Sequence, residues 1–308
     1  MRALIVTNMY PTPAHPAFGS FVRDQVDALR RIPEIGVEVF SFAPGGVGAY
    51  ARAAHGLRRG YRGERFDVVH AHFGLTAWPA IVVPGRFRAV TLHGTDLHHP
   101  RSRPIVLAAL RCFDLVAAVS EPLAREIPRW ATRAEVAVLP AGVDLGRFRP
   151  IPRADARAAL RLDPDRPHVL FPSDPRRREK RYDRARAVVA GEARLLTLVD
   201  VEPRRVPLWV NAANAVVMPS DREGFGLAVL EALACDVPVL ATAVGIAPGV
   251  LDGVAGAHCG AFELGAWRAA LAPHLRAPDP RVAGRTRAEP FSTDRMARRV
   301  VEAWQRLG

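Results

Sequence analysis

The chain has 308 residues, 49% hydrophobic and 24% charged, enough for one large or two medium domains with a full core. Its formal charge of +12 raises nucleic acid as a partner, but the basic residues are scattered from Arg2 to Arg306 without clustering beside aromatics. No nucleic acid is expected; phosphates and an anionic membrane surface are the partners such a charge suits.

All but one of the 43 basic residues are arginine, the exception being Lys180. A lone lysine in such a composition points to a place that needs a compact ammonium instead of a planar fork, with chance retention as the alternative. Cys112, Cys235 and Cys259 are widely spaced and form no Cys-x-x-Cys, which argues against a disulfide framework or a zinc site. There is no 18-residue apolar run, and the N-terminus does not read as a signal peptide. A cytoplasmic protein is expected, with peripheral contact at the inner face of a membrane as a further option.

In chain order, Ala3 to Thr7 is a short apolar strand, followed by a proline-rich loop to Gly19. Helical spacing of apolar residues begins at Phe21. The loop lacks Gly-x-Gly-x-x-Gly, so a dinucleotide fingerprint is absent, but Gly19 allows a backbone to approach a ligand at the helix start. Val37 to Ala43 is a second strand. Tyr50 to Arg65 is basic and amphipathic, a pattern shared by solvated helices and membrane-surface helices.

Phe66 to Ala71 is a third strand ending at His70 and His72, two apart. That spacing places them on one strand face, where they are either satisfied histidines beside a cleft, the reading preferred, or metal ligands. Val90 to Leu92 leads into His93-Gly94-Thr95-Asp96. Strands follow at Leu115 to Ser120 and Val136 to Pro140. Strands alternating with helical stretches predict a parallel sheet.

The proline-rich stretch 151–167 reads as a linker with a short helix, and His168 opens a second α/β unit. After its first strand comes a basic loop, Arg176 to Arg181, which includes Lys180. The loop is either exposed or a clamp for a diphosphate. Asn214 to Pro219 reads as a buried strand. It leads through Ser-Asp-Arg-Glu-Gly-Phe-Gly (220–226) into a run of helix formers from Leu227.

Such a strand, turn and helix aims amides and a positive dipole end at one point, which suits a phosphate. Glu223 and Glu231 flank it, and Glu231 shares a helix face with Leu227. One anion site between two hydroxyl-binding acids describes a bound sugar nucleotide. Solvated glutamates favoured by the dipole are the plainer account.

The stretch 220–231 resembles the Glu-x7-Glu signature of retaining glycosyltransferases of family 4, which have the GT-B fold. His93-Gly94-Thr95-Asp96 and Ala141-Gly142-Val143-Asp144 resemble two further segments of that family, with Ala141 in place of an asparagine. The resemblance implies an α/β protein of two facing, doubly wound Rossmann-like domains with parallel sheets. Residues 1–150 would form the acceptor side, with a C-terminal crossing helix at about 292–308 packing back onto it, and 168–291 the donor-binding domain.

It further implies a metal-independent transferase that needs no cofactor and takes a UDP- or GDP-linked sugar to a glycan, lipid-linked or small-molecule acceptor. Lys180, Arg176 (or Arg177, since Pro175 stands where the family has its arginine) and the Gly226 and Leu227 amides would hold the donor phosphates, with Gly19, Gly224 and Phe225 beside them. Glu223 would hold the transferred sugar, Glu231 the ribose, and His93 would stand near the reacting carbon, with Asp96 on the acceptor side. Only 42 residues separate Lys180 from Glu223, fewer than the family pattern, which leaves the nucleobase pocket undefined. A non-catalytic nucleotide-binding partner subunit, a sugar-nucleotide epimerase and a glycoside hydrolase are the alternatives. The hydrolase is disfavoured because both glutamates are tied to a phosphate turn.

Overall fold

A computed structural model describes all 308 residues and divides into two compact units, Met1–Gly142 with Thr293–Gly308, and Val143–Ser292. In the first unit six parallel strands pair in the order β2-β1-β3-β4-β5-β6. They are β1 (Arg2–Thr7), β2 (Gly36–Ser41), β3 (Phe66–His72), β4 (Gly85–Leu92), β5 (Leu115–Ala118) and β6 (Val136–Val138). Successive residues of β1, Ala3 to Val6, are all fully buried, so both faces of this sheet are covered, as a parallel sheet requires.

One face carries Ala3, Ile5, Val68, Ala89 and Ala117. These pack against Val22, Val26 and Leu29 of helix Ser20–Arg30 and against Met296, Val300 and Trp304 of helix Thr293–Gln305. The last helix therefore belongs to the first unit although it closes the chain. Gly142, at the exit of that unit, leaves no room for a side chain, since a Cβ there would lie 2.8 Å from Thr293 Cα.

The basic stretch from Tyr50 contributes to helix Val47–Gly60, whose Ala53 and Leu57 are buried. Tyr50 packs on Phe42, and Tyr61 packs between Phe40 and Phe66. Its apolar residues thus face the core, while Arg52, Arg58, Arg59, Arg62 and Arg65 are exposed. The outward side of the helix carries these arginines together with Val47, which is 87% exposed. No helix of the protein is long and apolar enough to cross a membrane.

The second unit holds five parallel strands in the order β11-β10-β9-β7-β8. They are β7 (His168–Phe171), β8 (Arg194–Thr197), β9 (Ala215–Met218), β10 (Val239–Ala241) and β11 (His258–Cys259). The stretch 151–167, read from its prolines as a linker, lies within this unit. Its helix Arg153–Leu160 is held by Arg157, which donates to the carbonyls of Ala212 and Pro164 and to Asn214 Oδ1.

Composition hides this anchoring, because arginine is common everywhere in the chain. Strand β11 and helix Leu264–Arg276 have no counterpart in the expected elements. The strand is two residues long, and the helix contains Pro273, an ordinary breaker.

Candidate functional site

In each sheet the chain leaves its first strand toward one edge and then returns to build toward the other. Ligands of open α/β sheets sit at that reversal, outside the carboxyl ends of the strands. In the second unit the reversal falls between β7 and β9. The loop after β7 carries Lys180, and the loop after β9 carries Glu223.

The two side chains meet. Lys180 Nζ donates to Glu223 Oε1 at 2.7 Å and to Oε2 at 2.5 Å, with side chains only 12% and 9% exposed. Ser220 Oγ donates to Glu223 Oε1 at 2.8 Å, and Thr242 Oγ1 in turn donates to the Ser220 carbonyl at 2.5 Å. A further bond from Asp221 N to the Glu179 carbonyl ties the two loops together at 2.9 Å.

Beyond Glu223 the chain turns at Gly226, whose φ of 95° is left-handed, into helix Leu227–Ala234. The helix starts beside the pair, since a Cβ on Gly226 would lie 3.8 Å from Glu223 Cγ, and the amides that open a helix have no acceptor in a preceding turn. Phe225 is buried and Gly224 and Leu227 are partly buried, while Glu231 lies partly buried on the helix beyond. The turn is braced by a second glycine turn. Ile246 N donates to the Phe225 carbonyl at 2.7 Å, and a Cβ on Gly245 would lie 2.3 Å from that same oxygen.

Behind the site, Arg285 donates to the Ala234 carbonyl and Arg281 to the Cys235 carbonyl, each satisfying the C-terminal end of the helix with positive charge.

Arg176 is placed differently from the expected clamp. Its side chain is 81% exposed and paired with Asp174 at 2.6 Å, an arrangement that holds the Asp174 carboxyl below its usual range. Neighbouring arginines are likewise occupied, Arg177 by Glu179 and Arg181 by Asp183 and Asp221. The lysine joins the glutamate, whereas Arg176, Arg177 and Arg181 each close a local ion pair with an acid two residues away and Arg178 is exposed.

In the first unit His93 follows β4 and is partly buried. Its ring lies against Phe73 and Phe21, with centroids 4.5 and 5.1 Å away, and its Nε2 is 3.1 Å from His72 Nδ1. Burial pushes its pKa well below the usual imidazole range, with His72 adding to the shift, so the ring is neutral at pH 7. Asp96 is buried, and both its oxygens are occupied: Oδ1 accepts from Gly74 N at 2.8 Å and Oδ2 from His93 N at 2.5 Å. It therefore positions the backbone of His93 instead of offering a carboxylate to an acceptor.

Gly19 has φ 68°, and a Cβ there would lie 2.3 Å from the Met9 carbonyl oxygen. The backbone it admits so closely is the chain's own loop after β1. His70 and His72 are satisfied core histidines, and no group of three or more His, Cys, Asp or Glu side chains is placed to hold a metal.

Residues 5–147 match the family model described as Glycosyltransferase Family 4, and residues 161–275 match the one described as Glycosyl transferases group 1. The D-inositol 3-phosphate glycosyltransferase of Actinosynnema mirum is 31% identical over 85% of this chain and 77% of its own length. The chain belongs to the family 4 glycosyltransferases.

The enzyme of the same name from Mycolicibacterium paratuberculosis is 37% identical, but the match spans 51% of this chain and 43% of that protein, less than half its length. Among solved structures, sucrose-phosphate synthase of Thermosynechococcus elongatus superposes with a TM-score of 0.77, over 100% of this chain and 99% of that one, at 19% identity. Anabaena HepE in complex with UDP-glucose gives a TM-score of 0.72 over 99% of each chain, at 14% identity. The fold is GT-B, two Rossmann-like domains with parallel sheets.

Against the glycosyltransferase signature, the structure adds Ser220, Thr242 and Gly245, which hold Glu223 and its turn in place. The serine opens the signature in the sequence, whereas the other two lie far beyond it. Only their tertiary approach reveals them.

Proposed function

We propose that this protein is a retaining glycosyltransferase that moves a sugar from a UDP- or GDP-linked donor to a hydroxyl of a glycan, lipid-linked or small-molecule acceptor, without a metal ion. The observation that carries the reading is the Lys180–Glu223 pair at the strand reversal, beside a helix start. In the structure each charge is neutralised by the other. When donor enters, the ammonium turns to the diphosphate and the carboxylate accepts hydroxyls of the sugar.

As the bond from the anomeric carbon to the diphosphate oxygen breaks, its electron pair leaves with the phosphate, the acceptor hydroxyl oxygen bonds to the anomeric carbon on the same face, and the hydroxyl proton passes to the departing phosphate oxygen. The growing negative charge is met by Lys180 and by the amides at Gly226 and Leu227. Glu231 holds the ribose hydroxyls, and His93 contacts the substrate. Arg176 joins only by releasing Asp174. The acceptor class, and a role in cell-surface polysaccharide or glycoconjugate synthesis at the cytoplasmic face of a membrane, extend the same reading. The name carried by its relatives makes a phosphorylated cyclitol the first small acceptor to try.

The test is a panel of nucleotide sugars screened by thermal stabilisation, followed by transfer assays with the best donor and determination of the product anomer by NMR. The reading expects stabilisation by one donor class and a product of unchanged anomeric configuration. Stabilisation without transfer to any acceptor supports a non-catalytic nucleotide-binding subunit. An inverted product, or no stabilisation by any donor, overturns the proposal.

A further inference from the structure

Strand β3 puts His70 and His72 on one face, with rings stacked at 4.8 Å and almost no exposure. Both are neutral, His72 being pushed down to about 4 by burial, so each ring carries one proton whose place can be followed through its partners. An indole N–H only donates. Trp304 Nε1 lies 3.1 Å from His70 Nδ1, which must accept, so His70 keeps its proton on Nε2 and donates to Thr91 Oγ1 at 2.8 Å.

The same logic runs outward from Gln25. Its amide nitrogen, also a donor, is 3.2 Å from His72 Nε2. His72 therefore carries its proton on Nδ1 and donates to His93 Nε2 at 3.1 Å. That leaves the His93 proton on Nδ1, the ring nitrogen without a protein partner.

We propose that Gln25 and His72 are positioning residues that lock His93 as the Nδ1–H tautomer, so that His93 meets the substrate as a hydrogen-bond donor to an oxygen and not as a base. The ring orientation is fixed independently, by Asp96 on its backbone and Phe73 and Phe21 on its faces. An imidazole free in water prefers the Nε2–H form, so the lock runs against the intrinsic bias. The oxygen it serves belongs to a sugar hydroxyl or a phosphate. The substrate contact rests on the glycosyltransferase reading of His93, whereas the lock itself is a property of the first domain alone.

The experiment is long-range 1H–15N correlation spectroscopy of the full chain labelled with 15N-histidine at pH 7.5, where protonated and unprotonated ring nitrogens resonate apart. His70, His72 and His93 are assigned by single substitution. The expected pattern is Nε2–H for His70 and Nδ1–H for His72 and His93. His72→Phe keeps an aromatic ring on the stack but removes the donor to His93, so His93 shifts toward Nε2–H and transfer falls on the order of tenfold.

An Nε2–H form of His93 in the wild type, or an unchanged His93 tautomer in His72→Phe, overturns the proposal. If His72→Phe does not fold, the wild-type spectrum still decides, since an Nε2–H form of His72 would leave its Nδ1 without a proton to donate to His93 and overturn the proposal. Correct tautomers in a protein that transfers no sugar overturn the function and leave the lock standing.

Discussion

Lys180 Nζ bridges both carboxylate oxygens of Glu223, at 2.7 and 2.5 Å, across the point where the second sheet reverses its strand order. The pair is nearly buried, yet each member is a group that a diphosphate or a sugar hydroxyl would engage. Ion pairs so placed stabilise little by themselves, because desolvation offsets most of the Coulombic gain. Their value here is to hold two opposite charges ready at one spot.

Removing either charge should therefore damage transfer more than folding. Lys180→Ala and Glu223→Ala are each expected to lower kcat/KM by about 2–4 kcal/mol in transition-state terms, with the native circular dichroism spectrum kept. A double-mutant cycle on stability should return a coupling of about 1–3 kcal/mol. Zero coupling would mean that the two groups do not meet in solution.

Gly245 is expected to be intolerant of a side chain. Gly245→Ala forces a Cβ toward the Phe225 carbonyl at a φ of 59°, a conformation costing on the order of 1–3 kcal/mol before any clash. Melting temperature and donor affinity should both fall. Gly249→Ala is the control, because nothing lies within 4 Å of its Cβ position and melting should hold or rise.

The buried histidines set a pH dependence of stability. Burial lowers His72 in the first unit and His168 in the second from 6.5 to about 4. Between those values the unfolded chain binds protons that the native chain refuses, so stability rises with pH and is lost as pH falls from 6.5 toward 4. Each histidine contributes a slope approaching about 1.4 kcal/mol per pH unit. Urea midpoints at pH 7.5, 6 and 5 check this, and a flat profile would contradict it.

Asp96 should behave as a structural clamp. Asp96→Asn turns one of its two acceptors into a donor facing a backbone N–H, costing about 1–3 kcal/mol of stability. Transfer should fall through displacement of His93, while the nucleotide affinity of the second domain is unchanged. Calorimetric titration of the nucleotide separates the two effects.

The course of the fold was legible because buried parallel strands write themselves as short apolar runs. Ala3 to Thr7, His168 to Pro172 and Asn214 to Pro219 all lie over strands of the structure. Glu223 and Lys180 were legible as separate signals, one from its glycine turn and one as the chain's sole lysine, but nothing in their spacing of 43 residues says that they touch. The pairing of Arg176 with Asp174 was not legible, because a loop rich in arginine does not reveal which of them its own acids will capture. Thr242 closes an apolar strand and Gly245 opens a glycine turn in the sequence, but their bracing of the Glu223 turn, and the relay from Gln25 to His93, could not be read there. Their roles come from backbones and rings brought together by sheet packing, not from any local pattern.

The most direct test of the central claim is a crystal structure with the stabilising nucleoside diphosphate bound. The account predicts the diphosphate over the Gly226–Leu227 amides, with Lys180 Nζ within hydrogen-bonding distance of a phosphate oxygen and withdrawn from at least one oxygen of Glu223. A nucleotide seated elsewhere, with the Lys180–Glu223 pair unchanged from its 2.7 and 2.5 Å contacts, would contradict it.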